Sequence, residues 1–314
     1  MFSYIIKRLI QSIFTLIIVI SIVFALMRLM PEEGYFGDSY EKMDELQREA
    51  ILDSMGLKDP LHQQLISFYK QLMEGDLGKS IIYRPNVQIS SILMDKIPYS
   101  LKFGLGAMGL SLVLGLYLGI KMALNNKGFW NRIGSGFIVL INAVPAAIYY
   151  LYLQVYLTGI LKLPMLFSES NPISWILPMV SMSLGGIASY AMWMRRYMVD
   201  EMNKDYVKLA RAKGLDNKSI MISHVMRNAF VPIAQYLPSA LLLTIAGSIY
   251  VESLYSIPGM GGLLVTAIQR QDNTLVQALV VIYSSLGIVG LLLGDIFMAI
   301  LDPRIKLNKK VGAK

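Results

Sequence analysis

The sequence predicts an all-α integral membrane protein with six transmembrane helices and a small external subdomain between the first two. Three observations carry this. Of 314 residues, 55% are hydrophobic and only 16% charged, against about a quarter charged in a soluble domain, so lipid must be the main solvent. Six windows reach the roughly 20 mainly apolar residues that a bilayer-spanning helix needs: 9–30, 99–124, 134–161, 173–194, 229–251 and 275–301. Lys and Arg gather in alternate loops, as orientation signals do.

The first window follows Lys7 and Arg8. Its apolar run is longer than a signal peptide's and no small-x-small cleavage site follows, so residues 1–30 read as a cytoplasmic end plus an uncleaved span. Segment 31–98 holds seven basic and twelve acidic residues and is too long for a mere connection. Asp59 as N-cap and Pro60 at the first helical position precede Leu61, Leu65, Ile66, Tyr69 and Leu72 on one face, a helix of either a folded external subdomain or the membrane surface. Residues 99–302 form the five-span core and 303–314 a tail. The basic residues Lys7 and Arg8, Lys121, Lys127 and Arg132, the eight in 195–228, and those of the tail all fall on one side of six spans. Both termini and the 195–228 loop are therefore expected in the cytoplasm, in a chain embedded in the cell membrane.

The 195–228 loop is the most charged interruption of the apolar pattern. It reads as two short helices around Gly214, the first carrying Leu209, Ala210 and Ala212, the second capped by Asp216. Gly214 suits the left-handed residue that ends a helix. Small residues allow close approach of a partner, and Lys208, Arg211 and Lys213 suit an acidic rim; a solvated basic loop would share these features. A second distinctive segment runs from Glu252 to Leu264. There Pro258 and Gly259 form a turn beside Ser256, Gly261 and Gly262 permit unusual backbone angles, and 263–268 is able to re-enter the bilayer edge as a short helix. This is either an external gate or an ordinary tight loop.

Within the spans, Asn142, Ser181, Ser183, Gln235, Ser239 and Thr244 are candidates for lining a wet pathway. Other polar residues and Gly185, Gly186 and Gly247 hold helices together; the sequence does not sort the two sets. Asp295 is the one ionisable group assigned to a span, expected to face the bundle interior or the cytoplasmic interface and to pair with a cation.

Several chemistries are excluded. Cys is absent, which removes disulfides and thiolate catalysis, and two His leave little imidazole for metals or acid–base work. Gly78-Lys79-Ser80 lacks the Gly five positions earlier that a phosphate-binding loop needs, since Met73 stands there. The chain is thus not expected to bind ATP. No intramembrane nucleophile–base pair or zinc motif is visible, and the net charge of +8 sits in orientation loops, not in a nucleic-acid patch.

The segments at 4–9, 55–61, 75–80, 97–98, 205–215, 227–229, 256–261 and 301–305 together resemble, in order and spacing, the B-type membrane subunit of the dipeptide/oligopeptide/nickel branch of ABC importers. One departure is Lys208-Leu209-Ala210, where the general permease pattern opens Glu-Ala-Ala. The resemblance implies the type I importer fold and a non-catalytic, pore-forming subunit. Its partners would be a second, C-type permease subunit, two ATP-binding subunits holding ATP and Mg, and an external binding protein that delivers peptide. It assigns ATPase coupling to Asp205, Lys208, Leu209, Ala210, Ala212 and Gly214, and an external gate to Ser256, Pro258, Gly259 and Gly261. The branch also carries nickel chelates and glutathione, and a non-transporting scaffold or sensor would share the fold.

Overall fold

The computed structural model describes residues 2–29 and 31–301, so the predicted tail at 303–314 and the end of the 301–305 motif lie outside the described residues. Among the described residues there is no β-strand. The chain forms helices α1 (Phe2–Met27), α2 (Glu45–Ser54), α3 (Leu61–Met73), α4 (Ile89–Leu124), α5 (Phe129–Ala143), α6 (Ala146–Tyr152), α7 (Thr158–Leu161), α8 (Ile176–Met202), α9 (Asp205–Ala212), α10 (Asn217–Ser219), α11 (Arg227–Ala234), α12 (Leu237–Ala246), α13 (Ile249–Leu254), α14 (Met260–Gln269) and α15 (Asn273–Leu301).

Among the described residues, five helices are long and apolar enough to cross a membrane, or six if one bent pair counts as a single span. That pair corrects the third predicted window. Phe129–Ala143 and Ala146–Leu161 meet at 109°, because Val144 is extended and Pro145, which has no N–H to donate, starts the second arm. The fifth window is also interrupted, by a turn at Gln235 and Tyr236 and by Gly247, whose φ is +72°. The helix of the second span starts before its predicted window, at Ile89, and carries Pro98 inside it; at 36 residues it is longer than a crossing requires. Asp59 does not cap α3 either; Pro60 occupies that position with no side-chain cap. The capping box lies one helix earlier, where the Asp44 side chain accepts from Gln47 N and the Gln47 side chain accepts from Asp44 N.

Helix registers settle the number of crossings. Cβ atoms at Gly115 and Gly119 of α4 would collide with Ile187 and Ala191 of α8, and one at Gly186 with Ser111, so these helices run parallel in direct contact. The chain must therefore return across the layer between them, and the bent pair is the segment that does so. Gly104 of α4 meets Thr244 of α12, and Glu252, just beyond α12, meets Ser100, which makes α12 antiparallel to α4. Gly290 meets Ser239 and Gly294 meets Gln235, so α15 is antiparallel to α12.

The same register pairs α1 with α15. Arg8 Nη1 lies 3.3 Å from Asp295 at one end, and Asn273 Nδ2 donates to the Pro31 carbonyl at the other. Between Asn273 and Asp295, α15 rises about 33 Å at 1.5 Å per residue, close to the roughly 30 Å hydrocarbon thickness. Asp295 thus sits at the layer's edge with a cation beside it, as expected, and both ends of the described chain lie on the same side.

Candidate functional site

Two regions at opposite ends of the bundle carry the residues singled out by sequence. At the first, α9 turns Val207 and Ala210 into a buried cluster with Met194, Met198, Ile220, Val225, Ala229 and Ile233. Leu209, 56% exposed, and Lys208, Arg211 and Ala212 face outward. The helix ends as predicted. Gly214 has φ +78°, its N–H reaches the Arg211 carbonyl, and Leu215 N reaches that of Ala210, a Schellman closure. Asp216 then caps the next turn by accepting from Ser219 N at 3.0 Å. Asp205 opens α9, accepting from Lys208 Nζ at 2.9 Å; that hydrogen bond and the lysine's charge hold its carboxyl below the usual range. Tyr206 hydroxyl bonds Glu201 and accepts from Asn228, tying α9 to α8 and α11. One correction concerns Ala210, whose small side chain fits the chain's own core and not a partner's groove.

At the second region, Glu252 is fully buried. Its Oε1 accepts from the Ser100 hydroxyl at 2.8 Å and Ser248 N at 3.3 Å; its Oε2 accepts from Gly261 N at 2.7 Å and Gly262 N at 3.2 Å. The N–H groups of the first turn of α14 have no partner within that helix, and the carboxylate supplies one while complementing the helix dipole. Ser100 accepts in turn from Met260 N. The clamp corrects the expected role of these glycines: Gly261 and Gly262 lie in α14 with no positive φ, so Gly259 and Gly261 serve close approach and not unusual backbone angles. A Cβ at Gly259 would lie 2.5 Å from the Glu252 carboxylate and 2.6 Å from Ser100 Oγ, and one at Gly261 would lie 2.7 Å from Ile249 N. The 256–262 segment is accordingly mostly inward, with Ile257, Gly259, Met260 and Gly261 buried and Ser256 exposed at φ +56°. Pro258 is half-buried between them. The expected short apolar helix is present as α14, and Tyr283 of α15 donates to its Met260 carbonyl.

The pathway candidates divide. Ser181 and Ser183 are buried: Ser181 shares a hydrogen bond of 3.0 Å with the Tyr255 hydroxyl, and Ser183's carbonyl accepts from Ser111 of α4. The Ser183 hydroxyl donates to the Val180 carbonyl of its own helix at 2.8 Å, so both serines have partners within this chain. Gln235 and Ser239 pack under the α15 glycines, and Thr244 returns its hydroxyl to the Leu241 carbonyl. Ser239 also borders an apolar hollow with Leu243, Ser284 and Gly287. Asn142 is exposed just before the break at Pro145.

A second buried carboxylate, Asp272, stands at the start of α15. It accepts from the Ser80 hydroxyl at 2.6 Å, from Ile82 N and Tyr83 N, and caps its own helix through Leu275 N. Burial pushes its carboxyl up, but the Ser80, Tyr83, Ile82 and Leu275 donors outweigh it and leave it below the usual range. The segment Gly78-Lys79-Ser80 therefore serves as a fastener.

Residues 112–307 match the family described as binding-protein-dependent transport system inner membrane component, and residues 1–103 match its N-terminal family. The chain belongs to this permease family. It is 31% identical over 310 residues, 99% of this chain and all of the relative, to the dipeptide transport system permease protein DppB of Bacillus subtilis. It is 30% identical over 308 residues, 98% of this chain and all of the relative, to the oligopeptide transport system permease protein OppB of Salmonella typhimurium.

For this permease, sequence reasoning missed both carboxylate clamps. Asp295 is not the single acid at the spans, since Glu252 lies within the candidate span Leu237–Leu254. The available signal was an acid followed by Pro-Gly-x-Gly, which supplies free helix N–H groups at the spacing a carboxylate accepts.

Proposed function

We propose that this permease is the pore-forming subunit of an ATP-driven importer for dipeptides or oligopeptides delivered by an external binding protein. The observation that carries this reading is the full-length similarity to permeases named for dipeptide and oligopeptide transport. A second, C-type permease subunit would complete the pore, and two separate subunits would bind ATP and Mg. In this reading the protein sits in the cell membrane with the α9 end and both termini in the cytoplasm, which the distribution of Lys and Arg among the loops supports. Leu209, Ala212 and the Lys208–Arg211 face of α9 are then the contact with an ATPase subunit, while Asp205 and Gly214 fix that helix's start and end. The 256–262 segment, clamped on Glu252, is the external gate.

Geometry gives this division a mechanical basis. α4 and α8 are continuous helices, tightly packed through glycines, and each reaches both regions. Toward one end, Ser100 of α4 bonds Glu252 and Ser181 of α8 bonds Tyr255; toward the other, Ala123, Met194 and Met198 lie in the core beneath α9. A displacement imposed on α9 is thereby carried to the gate by rigid rods, as alternating access requires. The test is ATP-dependent uptake into vesicles containing all subunits. Uptake of labelled di- and oligopeptides is expected; uptake of only a nickel chelate or glutathione would replace the substrate assignment, and no uptake with intact assembly would favour a scaffold.

A further inference from the structure

A cleft of about 330 Å³ beside the Met27 end of α1 is lined by Arg28, Glu32, Tyr40, Glu45 and Arg48. Its charges are incompletely used. Lys58 and Glu49, also on its wall, pair with each other at 3.0 Å, whereas Glu32 and Glu45 have no ion pair among the described residues. Arg48 Nε is buried without a hydrogen-bond partner, and its guanidinium is oriented by the Tyr40 ring, 4.6 Å from the centroid. Arg28 spends Nε on Gln64 and Nη1 on Tyr35, which holds its planar head at the cleft. Two guanidiniums thus face two unpaired carboxylates.

We propose that this cleft binds a small zwitterion, with an anionic oxygen group against Arg48 and Arg28 and a primary ammonium against Glu32 and Glu45, the headgroup chemistry of a phosphatidylethanolamine lipid. A simple anion or cation would leave one of the two charge pairs opposed, while a zwitterion satisfies both, and the guanidinium fork suits a phosphate. The volume is at the small end of ligand sites, enough for a headgroup. Position selects the lipid over a free solute, because Arg28 directly follows the candidate span Ile5–Met27, at the level where headgroups lie. A choline headgroup has no ammonium N–H for Glu32 and Glu45, so it binds less well.

The test is hydrogen exchange of α2 in the assembled complex, in nanodiscs of phosphatidylcholine alone or with added phosphatidylethanolamine or phosphatidylglycerol. Phosphatidylethanolamine is expected to slow exchange of 45–54 about tenfold relative to the other two. Arg48→Gln and, separately, Glu45→Gln, which lies at an exposed position, should abolish that difference. Equal exchange in all three lipids overturns the proposal, as does a lipid dependence that survives both substitutions. A further arm adds glycerophosphoethanolamine or glycylglycine to lipid-free complex in detergent. Protection by glycylglycine together with none from phosphatidylethanolamine would reject the lipid as the source and assign the cleft to a free solute.

Discussion

Replacing Glu252 with Gln should loosen the 256–262 segment without emptying the site, and the size of the effect follows from the four donors. Gln offers one carbonyl oxygen and one NH2 where the carboxylate offers two acceptors. Gly261 N and Gly262 N cannot rotate away, so the favourable orientation keeps oxygen on them and turns the NH2 toward Ser100 and Ser248 N. Ser100 can rotate its hydroxyl, because its oxygen already accepts from Met260 N at 2.7 Å. Ser248 N cannot, and an orphaned buried N–H costs about 1–3 kcal/mol, with up to about 1 more as the bonds that persist change from charged to neutral. A total of about 1–4 kcal/mol lowers the opening free energy of the segment by the same amount, so amide exchange should accelerate about 5-fold to 700-fold at about 1.4 kcal/mol per decade. The assay is hydrogen exchange of a peptide covering 257–268 in the assembled complex, with uptake measured in parallel. Exchange within about threefold of wild type would refute the claim that the carboxylate holds the gate.

Cys placed at Asp44 or Asp76 should react with an impermeant thiol reagent outside intact cells, while Cys at Lys127 or Lys218 should not; the native chain has no Cys to confuse the result, and external labelling at 218 would overturn the orientation. Ala212→Trp should clash at the ATPase contact, and Gly214→Val should strain the φ +78° turn by about 1 kcal/mol or more. Both should reduce transport and substrate-stimulated ATP hydrolysis together, and normal values of both would remove α9 from the coupling path. Asp272→Asn should free segment 79–83 from α15 at neutral pH, read as faster amide exchange there. Because its folded carboxyl lies below the usual value, the wild-type fastening is fully present above the unfolded value of about 4 and is lost as pH falls through the lower folded one. Loosening of the wild type already near pH 5–6 would contradict that direction.

What the sequence made legible is what the bilayer or the local backbone dictates. Span length follows from membrane thickness, and the φ of Gly214 and the cap at Asp216 follow from their immediate neighbours, so the spans, the short helix α9 and its ending were readable. The bend at Pro145 and the break at Gly247 were visible only as residues able to break a helix, because Pro98 and Pro232 sit inside helices that continue and neighbouring packing decides between the outcomes. Which face of α9 turns inward is likewise a tertiary matter. Eight residues present small side chains on both sides, and Ala210 goes to the core while Ala212 does not. Glu252 was missed for the strongest reason: its decisive partner Ser100 lies 152 positions away. That long separation is also what gives the clamp its mechanical meaning. A gate held only by local bonds would open independently of the rest of the chain. One held by Ser100 of α4 yields only if α4 moves, and α4 is packed through its glycines against α8, whose Met194 and Met198 lie beneath the helix proposed to feel ATP.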